Sequence, residues 1–459
     1  MTDITTAPTH IAAALAALAA AVLLGLLVHT SVRYLRADDE LRASLRLEWR
    51  IRRTWKRQAP MHGLSVKDHT PTTAAQLATK DGRKPEVREL VPKIHTRVDR
   101  TGVTVRMRTL AGIGLAELQK AAPYLADTWR CPRISVLPDQ PGWLSLRAVR
   151  YDPLATTTAY RPDGTVPKDL GTWPVGTDEF ATAVKLPLKQ VPGVTVAGLP
   201  GYGKTSLING LICRLAPSNA VQFAVADGKA SAASEGDYAD TASRLFAFVG
   251  DDLAEANRLF HKLVKLHRGR YAHIRKALGT TDFWKVGPTP AWPLVVLVID
   301  EAHTYFRDHK GSDPATKKLA ALAHENARLV EHLVKKGRSV GILVILATQK
   351  ATGDALPTFI RDICPVNLSF AQNTADAAVA ALGDDIRNWP DVSPVSLRDP
   401  AYVGVASMAL PGRVGFTRVR TPYVEPDDAA RIAEQSAHLT CDPATLLPGS
   451  GGPEFVKAA

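Results

Sequence analysis

The chain has 459 residues, of which 45% are hydrophobic and 22% charged; this is enough apolar matter for two or three packed domains and excludes a disordered or low-complexity protein. Lys and Arg outnumber Asp and Glu by 57 to 45, a net charge of +12, which points to nucleic acid or an anionic membrane surface as partner, with an unspecific basic surface as the alternative. Cys131, Cys213, Cys364 and Cys441 are scattered with no C-x-x-C pair, which excludes a legible zinc site or disulfide framework and fits reduced thiols.

The first predicted element is a membrane-spanning helix. Ile11 to Val28 runs 18 residues without a charge, close to the minimum for crossing a bilayer, and the span is placed at 11–30. The preceding MTDITTAPTH has no Lys or Arg and no small-x-small site follows, which argues against a signal peptide. Arg33, Arg36, Arg42, Arg46, Arg50, Arg52, Arg53, Lys56 and Arg57 all follow the segment. The expected topology is therefore a single pass through the cell membrane, with residues 1–10 outside and the remainder cytoplasmic. From Ser31 to Arg100 there are 17 Lys and Arg against 9 Asp and Glu. Near a membrane each such cation is worth about 1 kcal/mol toward anionic headgroups; contact with DNA is the other reading. Leu41 to Lys56 has a helical pattern, with Trp49 and Trp55 as interfacial anchors. A polar, Pro-containing linker completes residues 31–87.

Residues 88–165 read as a small α+β domain. Val91–His95 and Val103–Met107 alternate like strands around a turn at Arg100-Thr101-Gly102. Leu115 to Thr128 has helical periodicity, and Ile134–Val136 and Trp143–Leu146 resemble further strands. No catalytic set is visible, so DNA contact, ring assembly and simple packing all stay open as its role.

Residues 166–430 contain the strongest signal. Gly198-Leu199-Pro200-Gly201-Tyr202-Gly203-Lys204-Thr205 is a complete G-x-x-x-x-G-K-[ST] motif, preceded by the apolar Val194–Ala197 and followed by a helical pattern from Ser206 to Leu215. The glycines let backbone N–H groups face phosphates at a helix N-terminus. The motif residues 198–206 are thus expected to bind ATP, with Lys204 on the β- and γ-phosphates and Thr205 on Mg²⁺. Leu294–Ile299 is an unbroken apolar run, as in a doubly buried parallel strand, and it ends in Asp300-Glu301. Asp300 is expected to support Mg²⁺ and Glu301 to act as general base toward the attacking water. Ile342–Ala347 ends in Thr348-Gln349, and Gln349 is placed as a γ-phosphate sensor. Val221–Ala226 leads into Asp227-Gly228-Lys229. Together these predict a doubly wound α/β P-loop domain with its ligand at the strands' carboxyl ends.

In this order the P-loop, the D-x-K, the basic helix ending His267-Arg268-Gly269-Arg270-Tyr271, the Val298-Ile299-Asp300-Glu301 strand end, and Gly337-Arg338-Ser339-Val340-Gly341 before Ala347-Thr348-Gln349 resemble the FtsK/SpoIIIE DNA translocases. The single anchor and modest length are similar to the actinomycete conjugation branch, the TraB/TraSA type. The resemblance implies a RecA-like α/β P-loop ATPase motor in a homo-hexameric ring around double-stranded DNA, each ATP site completed by a neighbour's arginine. Asn367 stands where the family has that arginine; Arg361 and Arg338 are the candidate substitutes, and Lys350 replaces the usual arginine after A-T-Q. Conjugative transfer is the leading expectation. Chromosome partition, a type VII-like secretion ATPase and a coupling protein for single strands are the alternatives. The 36 residues after Tyr423 are short for a winged-helix reader, so DNA contact is expected to be largely sequence-independent. The basic helix from Arg258 to Lys276 is either a DNA-tracking surface or a solvated face, and residues 431–459 are expected as a C-terminal tail.

Overall fold

The computed structural model describes residues 30–68, 88–179, 181–349, 356–410 and 414–447, with a few positions between 17 and 28. Among the described residues no helix is long and apolar enough to cross a membrane. Most of the span expected at 11–30 lies outside the described residues, as do Lys350 and most of the 58–87 linker. The chain divides into two compact units, one ending at Asp152 and the other starting at Pro153, rather than at 165.

The first unit is built on a helix, α1 (Asp39–Met61), capped by Asp38, whose side chain accepts from Leu41 N. A short antiparallel pair follows, β1 (Val66–Asp68) and β2 (Arg88–Leu90). Next come β3 (Ile94–Asp99), β4 (Gly102–Arg108), α2 (Leu115–Trp129), β5 (Arg133–Pro138) and β6 (Trp143–Val149). The four longer strands form an antiparallel sheet in the order β3-β4-β6-β5. Strand alternation turns Val103, Val105 and Met107 of β4 inward, where they meet Leu118, Leu125 and Trp129 of α2. This core also contains Leu47, Ile51, Trp55 and Ala59 of α1. Trp55 is only 3% exposed and donates its indole N–H to Pro92 O at 2.8 Å. The expectation that Trp55 anchors at a membrane interface is therefore corrected: α1 is part of the small α+β unit, and its apolar stripe faces protein.

The second unit opens with β7 (Thr172–Asp178) and β8 (Ala183–Pro187). Then come β9 (Gly193–Ala197), α3 (Lys204–Leu215), β10 (Val221–Asp227), β11 (Leu245–Val249), α4 (Leu253–Leu278) and β12 (Leu294–Asp300). After α5 (Pro314–Lys336) the chain returns through β13 (Ile342–Thr348), β14 (Val366–Ser369), α6 (Ala375–Leu382), β15 (Val405–Ala409), β16 (Phe416–Arg420) and α7 (Pro426–Ser436). Of the sixteen strands among the described residues, ten join one mixed sheet in the order β11-β10-β12-β13-β9-β14-β15-β16-β7-β8. Its first six strands are parallel and the rest antiparallel. The central strands β10, β12 and β13 are buried along their whole length, as continuous Val/Ile/Leu runs in a covered parallel sheet should be.

Two further expectations change here. Residues beyond 430 are not a loose tail as far as Leu447: Ala429 and Ile432 of α7 pack against Cys213 and Ala216, Ala433 is buried beside them in sequence, and Gln222 donates to Leu439 O. Residues 448–459 lie outside the described residues. Arg270, placed on the possible DNA-tracking face of α4, is 1% exposed. Its guanidinium donates to Val340 O, Gly341 O and Pro293 O at 3.0, 3.2 and 2.8 Å and lies 5.3 Å from the Trp292 ring centroid. Burial draws its pKa down to about 9. Arg270 is thus a brace between α4 and the sheet, and Arg270→Met should cost about 3 kcal/mol of stability by stripping donors from buried carbonyls, read as a lowered midpoint in urea denaturation.

Candidate functional site: a P-loop cleft at the carboxyl ends of the strands

Strand β9 is flanked by β13 and β14, and its carboxyl end lies where ligands bind in open α/β sheets. The P-loop runs from that end into α3. Gly198 has φ +148°, and a Cβ there would stand 2.6 Å from Phe370 Cβ. Gly203 caps α3 with φ +106°, a left-handed conformation that favours glycine. Lys204 is the first residue of α3 and 4% exposed. Its ammonium donates to Gly198 O at 2.7 Å and Leu199 O at 3.0 Å, and burial lowers its pKa to about 8. Leu199 and Tyr202 hold the loop from outside: Leu199 N donates to Ala371 O at 2.9 Å, and the Tyr202 hydroxyl donates to Arg398 O at 2.9 Å.

The Asp300-Glu301 pair ends β12, and β13 lies between that strand and β9. Thr348-Gln349 therefore emerges between the P-loop and the two carboxylates. Gln349 joins Pro200, Gly201, Lys204, Thr205 and Ser206 in lining a cleft of about 550 Å³. Asp300 is fully buried. One of its oxygens accepts from Glu301 N at 2.8 Å and the other from the Tyr238 hydroxyl at 3.1 Å. Glu301 has φ +50°, a strained value for a residue with a side chain, of the kind that clusters at functional sites. Burial raises its carboxyl pKa above the usual range, which suits a group that must accept a proton.

Sequence reasoning gave no role to four residues that the fold brings here. Asp237 Oδ2 accepts from Thr205 Oγ1 at 3.1 Å. The Lys229 ammonium lies 3.4 Å from that oxygen and 3.8 Å from Asp300 Oδ2. Tyr238 is fully buried, and burial raises its phenol pKa well above normal, so it stays a donor to Asp300. Asp227, opposite Asp300 in the β10–β12 register, is buried, and its pKa too is raised by burial. Asp227 and Lys229 had been noted as the D-x-K after their strand, whereas the local signal for Asp237 and Tyr238 was no more than the run Glu235-Gly236-Asp237-Tyr238 after a small-residue loop.

The donor set is composed of hard oxygens from Thr205, Asp237 and Asp300, which suits Mg²⁺. Oδ2 of Asp227 and Oε2 of Glu301 are buried without a hydrogen-bond partner among the described residues, as expected where a cation and its waters are to be received. Thr205, Asp237 and Asp300 are the residues that would hold the ion.

The candidate trans residues are all engaged inside the chain. Asn367, on β14, pairs its side chain with Thr195 Oγ1 and Cys364 O. Arg361 donates to Ala380 O at 2.9 Å and pairs with Asp362 at 3.1 Å. Arg338 donates to Lys189 O at 2.6 Å and lies 3.5 Å from Asp282. None of the three is among the cleft-lining residues.

This strand order and motif placement agree with the sequence profile of the FtsK/SpoIIIE family, which matches residues 161–303. The profile of the actinomycete conjugal transfer protein N-terminal domain matches residues 43–150, so it takes in most of α1 together with the small sheet. FtsK relatives are distant. The DNA translocase FtsK of Leptospira interrogans is 24% identical over 282 residues, covering 57% of this chain and 26% of that protein. DNA translocase FtsK of Bacillus cereus is 27% identical over 212 residues, covering 43% and 25%. The chain thus spans about a quarter of the length of these FtsK proteins. Among solved structures, the pCW3 conjugation coupling protein TcpA, in a monomer form with ATPγS, is similar at a TM-score of 0.51 and 18% identity. That match covers 76% of this chain and 94% of TcpA and supports the α/β P-loop fold.

Proposed function

We propose that this chain is an ATP-driven translocase of double-stranded DNA serving conjugative transfer of a plasmid or integrative element. The observation that carries the reading is the placement of Lys204, Thr205, Asp300 and Gln349 at the carboxyl ends of three neighbouring strands, in a chain whose first unit matches a conjugal-transfer domain. The FtsK relatives are DNA translocases by name and TcpA is a conjugation coupling protein. We further propose a membrane anchor at 11–30, a cytoplasmic motor and a homo-hexameric ring, whose trans arginine is supplied by Arg361 or Arg338 after release from its present partners.

In the proposed reaction P-loop N–H groups and Lys204 hold the β- and γ-phosphates. Mg²⁺, when bound, neutralises phosphate charge. Glu301 orients a water and accepts its proton as the water oxygen bonds to the γ-phosphorus and the bond to the β–γ bridging oxygen breaks, giving ADP and phosphate. Gln349 senses whether the γ-phosphate is present. Duplex contacts are to phosphates, so affinity should fall steeply with salt.

Asp237→Asn tests the metal arm of this assignment. Calorimetric titration with ATPγS should show the magnesium-dependent gain in affinity cut by about tenfold, the scale at which loss of a charged ligand is felt. Affinity in EDTA should be unchanged. A full magnesium effect in the variant would remove Asp237 from the cradle.

A further inference from the structure

The outward side of α1 has a composition that packing within its own unit does not explain. Because Leu47, Ile51, Trp55 and Ala59 are committed to the core, the helical period turns Trp49, Arg53 and Lys56 to the opposite side. Trp49 is 62% exposed. Arg46, Arg52, Arg53, Lys56 and Arg57 are exposed around it, and the Arg53 guanidinium lies 4.9 Å from the Trp49 ring centroid. Acid is scarce here. Glu48 is 14% exposed and already paired with Arg52 at 2.9 Å, and between it and Asp68 the sequence has no Asp or Glu. The surface is therefore one large amphipathic ring encircled by cations.

We propose that this face of α1 rests on an anionic membrane surface, with Trp49 at headgroup depth and the cations on lipid phosphates and carboxylates. The inference deepens the proposed function and rests on its membrane-anchor component. Two observations favour lipid over duplex DNA. A tryptophan at the centre of the patch matches the interfacial preference of indole, whereas a duplex backbone offers that ring no unstacked base. The patch also begins only 18 residues after Val28, the end of the uncharged apolar run, so a span there would hold α1 near the headgroups. Long basic side chains and Trp suit that position, keeping charge in the polar layer while their apolar parts reach inward.

The test uses the full chain in vesicles of phosphatidylcholine with 30% phosphatidylserine, roughly the anionic content of a charged leaflet, the phosphatidylserine carrying brominated acyl chains. Tryptophan quenching is compared for the wild type, Trp49→Phe, and a charge-reversed variant, R46E/R52E/R53E/K56E. All four charge changes are on exposed positions, and circular dichroism checks that each chain is folded. The wild type should lose about one tryptophan's share of its signal; neither variant should, and brominated phosphatidylcholine alone should quench much less. Equal quenching of wild type and Trp49→Phe, or undiminished quenching of the charge-reversed chain, would overturn the proposal. So would a charge-reversed chain that keeps the quenching but loses affinity for duplex DNA, which would make α1 a DNA surface. Carbonate-resistant flotation reads the anchor separately: a chain that does not float overturns the anchor, while its quenching by added anionic vesicles still decides the α1 face.

Discussion

Glu301→Gln should bind ATP about as tightly as the wild type and hydrolyse it at least about 100-fold more slowly, the usual scale for loss of a general base. The substitution keeps size and shape and removes the proton-accepting charge. Glu301 Oε2 is buried without a partner among the described residues, so no neighbouring contact depends on that oxygen. The strained φ of +50° is enforced by the adjoining backbone, where Glu301 N donates to Asp300 and Ala302 N to Ala347 O; the amide should keep it. Fluorescent-nucleotide binding and steady-state phosphate release measured on the same preparation separate the two quantities. An equal fall in affinity and turnover would make Glu301 a binding residue.

Lys204→Ala should show the opposite balance. Its ammonium is held by the loop's own carbonyls, within hydrogen-bonding reach of both Gly198 and Leu199, where it can turn to phosphate without a backbone change. A charge-assisted bond to phosphate is worth about 1.5–3 kcal/mol, so nucleotide affinity should fall roughly 10- to 100-fold. Burial disfavours the lysine's charge, so relief of that charge offsets the loss of its two carbonyl contacts at a cleft that water can enter, and the fold should be little destabilised. Calorimetric titration with ATPγS gives the affinity, and an unchanged melting temperature shows that the loss is local. Wild-type affinity in the variant would mean that the P-loop backbone alone carries the phosphates.

The parts legible in the sequence are those fixed by local chemistry. A glycine pattern between a strand and a helix, and apolar runs ending in polar residues, located Lys204, Thr205, Asp300, Glu301 and Gln349 because each follows directly from its own strand. Asp237 and Tyr238 were not legible: they reach Thr205 and Asp300 only when the loop after β10 folds back, and nothing within that loop specifies the return. Trp55 was misplaced for a different reason. A helix with one apolar stripe reads the same whether the stripe faces lipid or protein, and the strands that cover it lie more than thirty residues further on. Arg270 likewise looked like one of a row of surface cations until the carbonyls of Val340, Gly341 and Pro293 were brought to it by the sheet. The α7 helix was hidden because its stripe is made of alanine and a single isoleucine, a weak hydrophobic signal on so short a stretch.

The most direct test of the central claim is ATP turnover by the full chain in detergent, with and without double-stranded DNA, alongside single strands of the same sequence and the Lys204→Ala variant. The account predicts strong stimulation by duplex, little by single strands, none in the variant, and a stimulation that weakens as salt rises. Turnover indifferent to duplex but raised by single strands would contradict it, and would identify the chain as an ATPase of a different substrate.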